Sequence, residues 1–254
     1  MKPYEVRDYR NLIRQDAGQG FNVVVQETDL YIHGPARLLN SARELVLTQR
    51  GYLESYIARY PGFAGALTPW QAEGMEPPII RDMIAAGNQT GIGPMAAVAG
   101  AIAEKVGQGL LNHTDEIMVE NGGDIFIKKN GPVTIGLFAG TSPLSLKIGL
   151  KIDGKDHSFA VCTSSGTVGH SLSLGKADAV CVVSPSCALA DAAATAIGNR
   201  IQRAADIKDA ISYGQKIAGI TGLTAVVGDR IGAWGDIELV RLFEPPFQIP
   251  AKKG

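Results

Sequence analysis

Residues 187–202, CALADAAATAIGNRIQ, constrain the fold more than any other stretch. They read as a helix whose side chains are nearly all small, with Gly198-Asn199 as its end or a break. Such a helix can lie very close to another backbone. A second helix of the same make is expected over 90–111, TGIGPMAAVAGAIAEKVGQGLL. There a Gly-rich turn leads into Pro94, which suits a first helical turn. Each small-residue helix follows strand-rich material. This fits a duplicated plan, although the two stretches are too unlike in sequence to be called a repeat.

The other segments fill in an α+β chain. FNVVVQETDLYIHG (21–34) reads as a strand pair or one bent strand, with Val23, Val24 and Val25 favouring extended backbone. Residues 36–60 carry apolar positions at helical spacing, closed by Pro61-Gly62. The Pro/Gly-rich 61–78 stretch is expected to be a covering loop. A short helix follows over 78–89. Residues 116–138 predict a strand, a tight Gly-Gly turn and two further strands around Asn130-Gly131. Residues 144–166 predict a hairpin turning at Asp153-Gly154, and 177–186 a buried strand. Residues 211–242 predict a short helix and more strands.

Composition excludes several classes. Hydrophobic residues are 45% and charged residues 19%, which is enough apolar material for a packed core. The net charge of −1 and the lack of a basic stripe argue against nucleic acid as a partner. No apolar run is long enough to span a bilayer, and the polar first twenty residues contain no signal-peptide core, so no membrane partner is expected. The cysteines, Cys162, Cys181 and Cys187, are odd in number and make neither a disulfide framework nor a zinc pattern. A reduced cytoplasmic location is the expectation.

Three segments could carry chemistry. In Glu120-Asn121-Gly122-Gly123-Asp124, the glycines permit a sharp turn or a close approach to a ligand. The plainer reading is a hairpin turn. The stretch Cys162-Thr163-Ser164-Ser165-Gly166, continued by Gly169-His170-Ser171 and Lys176-Ala177-Asp178, offers backbone N–H groups, hydroxyls and one positive charge. Such a loop can hold a phosphate or another small anion. Ser165, His170 and Asp178 do not make a convincing hydrolytic triad, because the G-x-S-x-G elbow is absent. His170 is the first choice for an acid or base, with Asp124 and Asp178 behind it. Cys162 is a candidate thiol, against the plainer reading of a buried structural cysteine. In the third segment, Asp191 and Thr195 lie four residues apart and so share one face of the Ala-rich helix. Both are hard oxygen ligands suited to Mg²⁺ or Ca²⁺. The plainer reading is an acid near a helix N-terminus.

Taken in order, ENGGDI, CTSSGTVG, a valine-rich strand and ALADAAATAIGN resemble the ApbE superfamily, which includes the FAD:protein FMN transferases. With ETDL (27–30) and GIGPMAAVAGAIAE (91–104), the chain resembles a small branch of that superfamily found in anaerobic archaea and bacteria. The resemblance implies a T-fold-related arrangement of antiparallel sheets packed with helices. It implies one domain over 1–254, built as two α/β lobes around a central cleft, with 1–20 and 243–254 as peripheral tails. It implies Asp191 and Thr195 as Mg²⁺ ligands. It implies a cleft lined by Gly122, Gly123, Asp124, Thr163, Ser164 and Gly166; the polar chemistry of Asn121, Ser165, Ser171 and Lys176 adds them to the expected ligand-binding set. The ligand would be a small anionic or phosphate-bearing molecule of the nucleotide or flavin type, FAD or FMN included. The reaction would be Mg²⁺-dependent transfer or hydrolysis. The chain departs from the flavin transferases in having no H-x-x-D-P-x-T-G segment, which weighs against flavin transfer. The resemblance also admits a role in anaerobic sulfide assimilation and homocysteine formation, or a non-catalytic binding protein on the same scaffold. A homo-oligomer is expected, with Phe63, Leu67 and Trp70 as its candidate surface.

Overall fold

The computed structural model of the protein describes residues 20–72, 74–154, 157–168 and 173–242. Its centre is one eight-stranded antiparallel sheet in the order β1-β2-β3-β4-β7-β8-β9-β10. The strands are β1 (Gly20–Val25), β2 (Thr28–His33), β3 (Ile117–Asn121), β4 (Asp124–Lys128), β7 (Phe159–Ser164), β8 (Ala179–Ser184), β9 (Gly222–Val227) and β10 (Arg230–Gly235). A second sheet of three strands holds β5 (Val133–Gly136), β6 (Ile148–Ile152) and β11 (Glu238–Arg241).

The duplicated plan is visible in the element order. The hairpin β1–β2 is followed by helices and then by the hairpin β3–β4. The pair β7–β8 is likewise followed by helices and then by β9–β10. The two halves meet where β4 pairs with β7. The first half carries α1 (Leu39–Arg59), α2 (Gly62–Gly65), α3 (Pro78–Thr90) and α4 (Val98–Leu110); the second carries α5 (Cys187–Gly198) and α6 (Ile207–Gly214).

Strand alternation divides the core in two. Ile32, Val119, Phe126, Cys162, Val182 and Ala225 face the helices and pack with them. Ile125, Ile127, Val161, Cys181 and Val183 face the other way, against Val133, Leu150 and Ile152 of the small sheet. The sheet is buried on both faces over β4, β7 and β8, which is why AVCVVS reads as a continuous apolar run rather than an alternating one.

The small-residue helices pack as their composition requires. α4 and α5 lie side by side, and a methyl group on Gly100 would meet the Cys187 carbonyl oxygen at 2.4 Å. Any larger side chain at 100 would push the helices apart. Pro94 opens a 3-10 turn, Pro94–Ala97, and the α-helix begins only at Val98. The expected single helix is therefore two pieces.

Two further expectations need correction. The hairpin predicted over 144–166 does not form: β6 pairs with β5 and β11, whereas β7 pairs with β4 and β8. The apolar pattern of two adjacent strands does not say which sheet each joins. Phe63, placed on a docking surface, is instead fully buried and stacks edge-to-face on Tyr56 and Trp70. Of the three residues in that patch, Leu67 is the exposed one, at 65%.

Candidate functional site

The ENGGD stretch forms the tight β3–β4 hairpin turn of the plainer reading. Asn121 and Asp124 face each other across a two-residue turn, with φ of 69° at Gly122 and 106° at Gly123. A side chain at either position would be strained, so glycine is required. Glu120 Oε1 accepts the Gly123 N–H at 2.9 Å. The turn thus places two polar side chains, Asn121 and Asp124, at the helix-facing end of the sheet.

Period-two alternation continues this surface across β7. Cys162 and Ser164 point to the helices beside Asp124, while Thr163 points away, its hydroxyl 2.9 Å from Cys181 Sγ on the other face. Thr163 reaches the site through its backbone: its N–H donates to Asp124 Oδ1 at 3.3 Å.

α5 closes the cluster from above. Thr195 Oγ1 donates to Ser164 Oγ at 3.4 Å, across the seam between α5 and β7. Asp191, one turn earlier and half-buried, accepts the Gly100 N–H at 2.9 Å. Asn121 Nδ2 donates to the Ala99 carbonyl at 3.0 Å, tying β3 to the start of α4. The structure therefore brings Asn121, Asp124, Ser164, Asp191 and Thr195 together.

The electrostatics of this cluster are unusual. Burial pushes the Asp124 carboxyl well above the ordinary aspartate range, and the neighbouring Asp191 charge pushes it further. Burial raises Asp191 to about 7, against the pull of the Gly100 and Ala99 N–H groups. Two carboxyls this close resist ionising together. A divalent cation would relieve that repulsion. Asp191, Thr195 and Ser164 supply hard oxygens of the kind Mg²⁺ takes. No three His, Cys, Asp or Glu side chains among the described residues converge on a metal. A cation here would need hydroxyls and ligand oxygens to complete its shell. The donor set fits Mg²⁺, which commonly keeps waters and substrate phosphates.

The other expected residues fall in different places. Asp178 has both oxygens engaged: Oδ2 accepts the Gly228 N–H at 2.7 Å and Oδ1 accepts the Thr167 hydroxyl at 3.1 Å. This holds the loop before β8 against the β9–β10 turn. Ser165 Oγ accepts N–H groups from Thr167 and Val168, shaping its own turn. The Gly166 N–H donates to Ala177, and Lys176 is exposed, with its N–H donating to Ile201. His170 and Ser171 lie outside the described residues. Cys162 is fully buried, and burial raises its thiol well above the ordinary value. It is a protonated thiol facing Cys187, not an open nucleophile.

Three participants were not legible in the sequence. Gly100 donates to Asp191, Glu104 of α4 binds the N-terminus of α5, and Cys187 touches Cys162. Glu104 carried the one available signal, an acid on the otherwise apolar face of an Ala/Gly helix. A separate cleft of about 240 Å³ lies between the second half of α1 and residues 74–77. Tyr52, Tyr56, Arg59, Tyr60 and Glu76 help to line it, and it contains no residue of the polar cluster. No helix of the described residues is long and apolar enough to cross a membrane.

Comparisons with known proteins bear on the fold and the family. Among solved structures, the apo flavinyl transferase ApbE of Pseudomonas stutzeri superposes with a TM-score of 0.57 at 14% identity, covering 85% of this chain and 93% of that one. A variant of flavin transferase ApbE from Vibrio cholerae gives 0.55 at 12% identity, covering 86% and 97%. At such identities the likeness shows the fold, which is ApbE-like as the motifs implied. UPF0280 proteins are much nearer in sequence. The one from Methanocaldococcus jannaschii is 41% identical over 227 residues, 86% of this chain and 92% of the relative. The one from Methanococcus aeolicus is 40% identical over 206 residues, covering 79% and 83%. The family model described as "AbpE bacteria" matches residues 10–228. With a match spanning most of its length, the chain belongs to the AbpE bacteria family.

Proposed function

We propose that the chain binds a phosphate-bearing small molecule of the nucleotide or flavin type together with Mg²⁺, and carries out group transfer or hydrolysis at its phosphate. The observation that carries this reading is the convergence of Asp191, Thr195 and Ser164 on one seam, with Asp124 buried behind them. Bound there, the cation would neutralise charge developing on phosphate oxygens. Asp191 would present its carboxylate, oriented by the Gly100 N–H. Thr195 and Ser164 would complete the oxygen set. Asp124, whose burial favours the protonated form, would donate a hydrogen bond or a proton to a ligand oxygen. The fold likeness to flavin transferases supports the ligand class. The missing H-x-x-D-P-x-T-G segment argues against transfer of flavin to a protein side chain.

The test is a thermal-shift series with ADP, FMN and FAD, each with and without Mg²⁺. At a hundredfold excess over the dissociation constant, a bound ligand stabilises by about 2.7 kcal/mol. For a chain of this size that is a rise of several degrees. The shift should require ligand and cation together and should vanish in Asp191→Asn. Silence across the panel in the wild-type protein sinks the reading.

A further inference from the structure

Two thiols meet where β7 passes beneath α5. Cys162 lies on β7, and Cys187 is the first residue of α5. Their Sγ atoms are 3.5 Å apart, and both side chains are fully buried. At that separation no atom stands between the sulfurs. Cys181 cannot join them, because it points to the opposite face of the sheet, against Thr163. The chain thus holds one close dithiol and one isolated thiol.

The dithiol is joined to the polar cluster at both ends. Thr163, the residue after Cys162 on β7, donates its N–H to Asp124 Oδ1 at 3.3 Å. Cys187 precedes Asp191 by one turn of α5, and that turn is wedged against α4. A methyl group on Gly100 would lie 2.4 Å from the Cys187 oxygen and 2.9 Å from Asp191 Cβ. A disulfide bond is about 2.05 Å long, so closing the 3.5 Å gap draws the sulfurs together by about 1.5 Å. Side-chain rotation takes up part of this. The remainder pulls the first turn of α5 toward β7 and away from Gly100. Oxidation also removes the Cys162 S–H that bonds the Cys187 carbonyl oxygen at 3.4 Å.

We propose that Cys162 and Cys187 form a redox pair whose oxidation to a disulfide loosens the Gly100–Asp191 and Asp124 contacts, so that the polar cluster is fully assembled only in the reduced protein. The regulatory meaning rests on the function proposed above; formation of the disulfide does not. With a small-molecule disulfide as oxidant, one protein thiolate attacks a sulfur of the reagent and expels one small thiolate. The second protein thiolate then attacks the protein sulfur of the mixed disulfide and expels the other. Two protein thiols become one disulfide, and the reagent is reduced to two thiols. The two protons lost by the protein end on the leaving thiolates. Burial raises Cys187 to about 11 and Cys162 well above its ordinary value, so exchange is slow and waits for the first turn of α5 to open.

The experiment incubates the reduced chain with excess 2-hydroxyethyl disulfide a few degrees below its melting temperature. The sample is then acid-quenched, alkylated in denaturant and mapped by mass spectrometry. Free thiols are expected to fall from three to one, with the Cys162 and Cys187 peptides joined and dithiothreitol restoring both. Cys181→Ser should form the same link. Hydrogen exchange on the oxidised sample should be faster at the Gly100 and Thr163 amides than in the reduced protein. Three alkylated cysteines after incubation, or a link through Cys181, would overturn the pair. A Cys162–Cys187 disulfide with unchanged protection at Gly100 and Thr163 would overturn its connection to the site. None of these readouts needs a ligand, so they stand apart from the nucleotide and flavin screen.

Discussion

Glu104 and Asp191 each cap the other's helix. Glu104 of α4 accepts the Cys187 N–H at 2.8 Å and the Ala188 N–H at 3.3 Å, at the start of α5. Asp191 of α5 accepts the Gly100 N–H at 2.9 Å, in the first turn of α4. Each carboxyl sits at the positive end of the neighbouring helix dipole. The exchange fixes α4 and α5 in register, and with them the height of Thr195 over Ser164.

Removing the Glu104 cap should therefore unsettle the site from a distance. Glu104→Ala leaves the Cys187 and Ala188 N–H groups buried without an acceptor, which costs about 1–3 kcal/mol. Glu104→Gln keeps an acceptor oxygen and should cost less. Urea unfolding of the two variants checks this; equal losses would mean that the acceptor is not what matters.

The same carboxyls make stability depend on pH in a definite direction. Asp191 titrates near 7 in the folded chain, above its ordinary 3.8, and burial raises Glu104 and Asp124 as well. The folded state then holds protons that the unfolded chain has released. This contribution is fully present below the ordinary carboxylate range and is lost as pH rises through 7. Without ligand or cation, the melting temperature should fall from pH 5 to pH 8. Asp191→Asn should flatten the slope and melt higher than wild type at pH 8. A wild-type melting temperature that rises over this range would contradict the assignment.

Much of this arrangement was readable in the chain, for local reasons. The two small-residue helices, the Gly122-Gly123 turn and the placement of Asp191 and Thr195 on one helix face all follow from spacings of a few residues. The reciprocal caps were not readable, because they join residues 83 and 91 positions apart. The sheet membership of β6 and β7 was lost for a similar reason: pairing partners are chosen across the whole chain, and apolar patterning cannot name them. Thr163 illustrates a third limit. Its hydroxyl invited a place in the cleft, yet strand alternation turns it to the opposite face and leaves only its N–H for Asp124.

Two glycines separate close packing from mere permissiveness. A Cβ at Gly100 would stand 2.4 Å from the Cys187 carbonyl oxygen, a backbone atom that cannot swing aside. Gly100→Ala should therefore force α4 and α5 apart and cost about 1–3 kcal/mol. It should also weaken any Mg²⁺-dependent ligand stabilisation, because the N–H that orients Asp191 moves. Gly51, exposed in the middle of α1, meets nothing within 4 Å of an added Cβ. Gly51→Ala should stabilise the chain by about 0.5–1 kcal/mol, through the backbone freedom that glycine loses on entering a helix. Chemical denaturation of both variants reads the contrast. Opposite signs are expected, and a tolerated alanine at position 100 would mean that the two helices are not in backbone contact there.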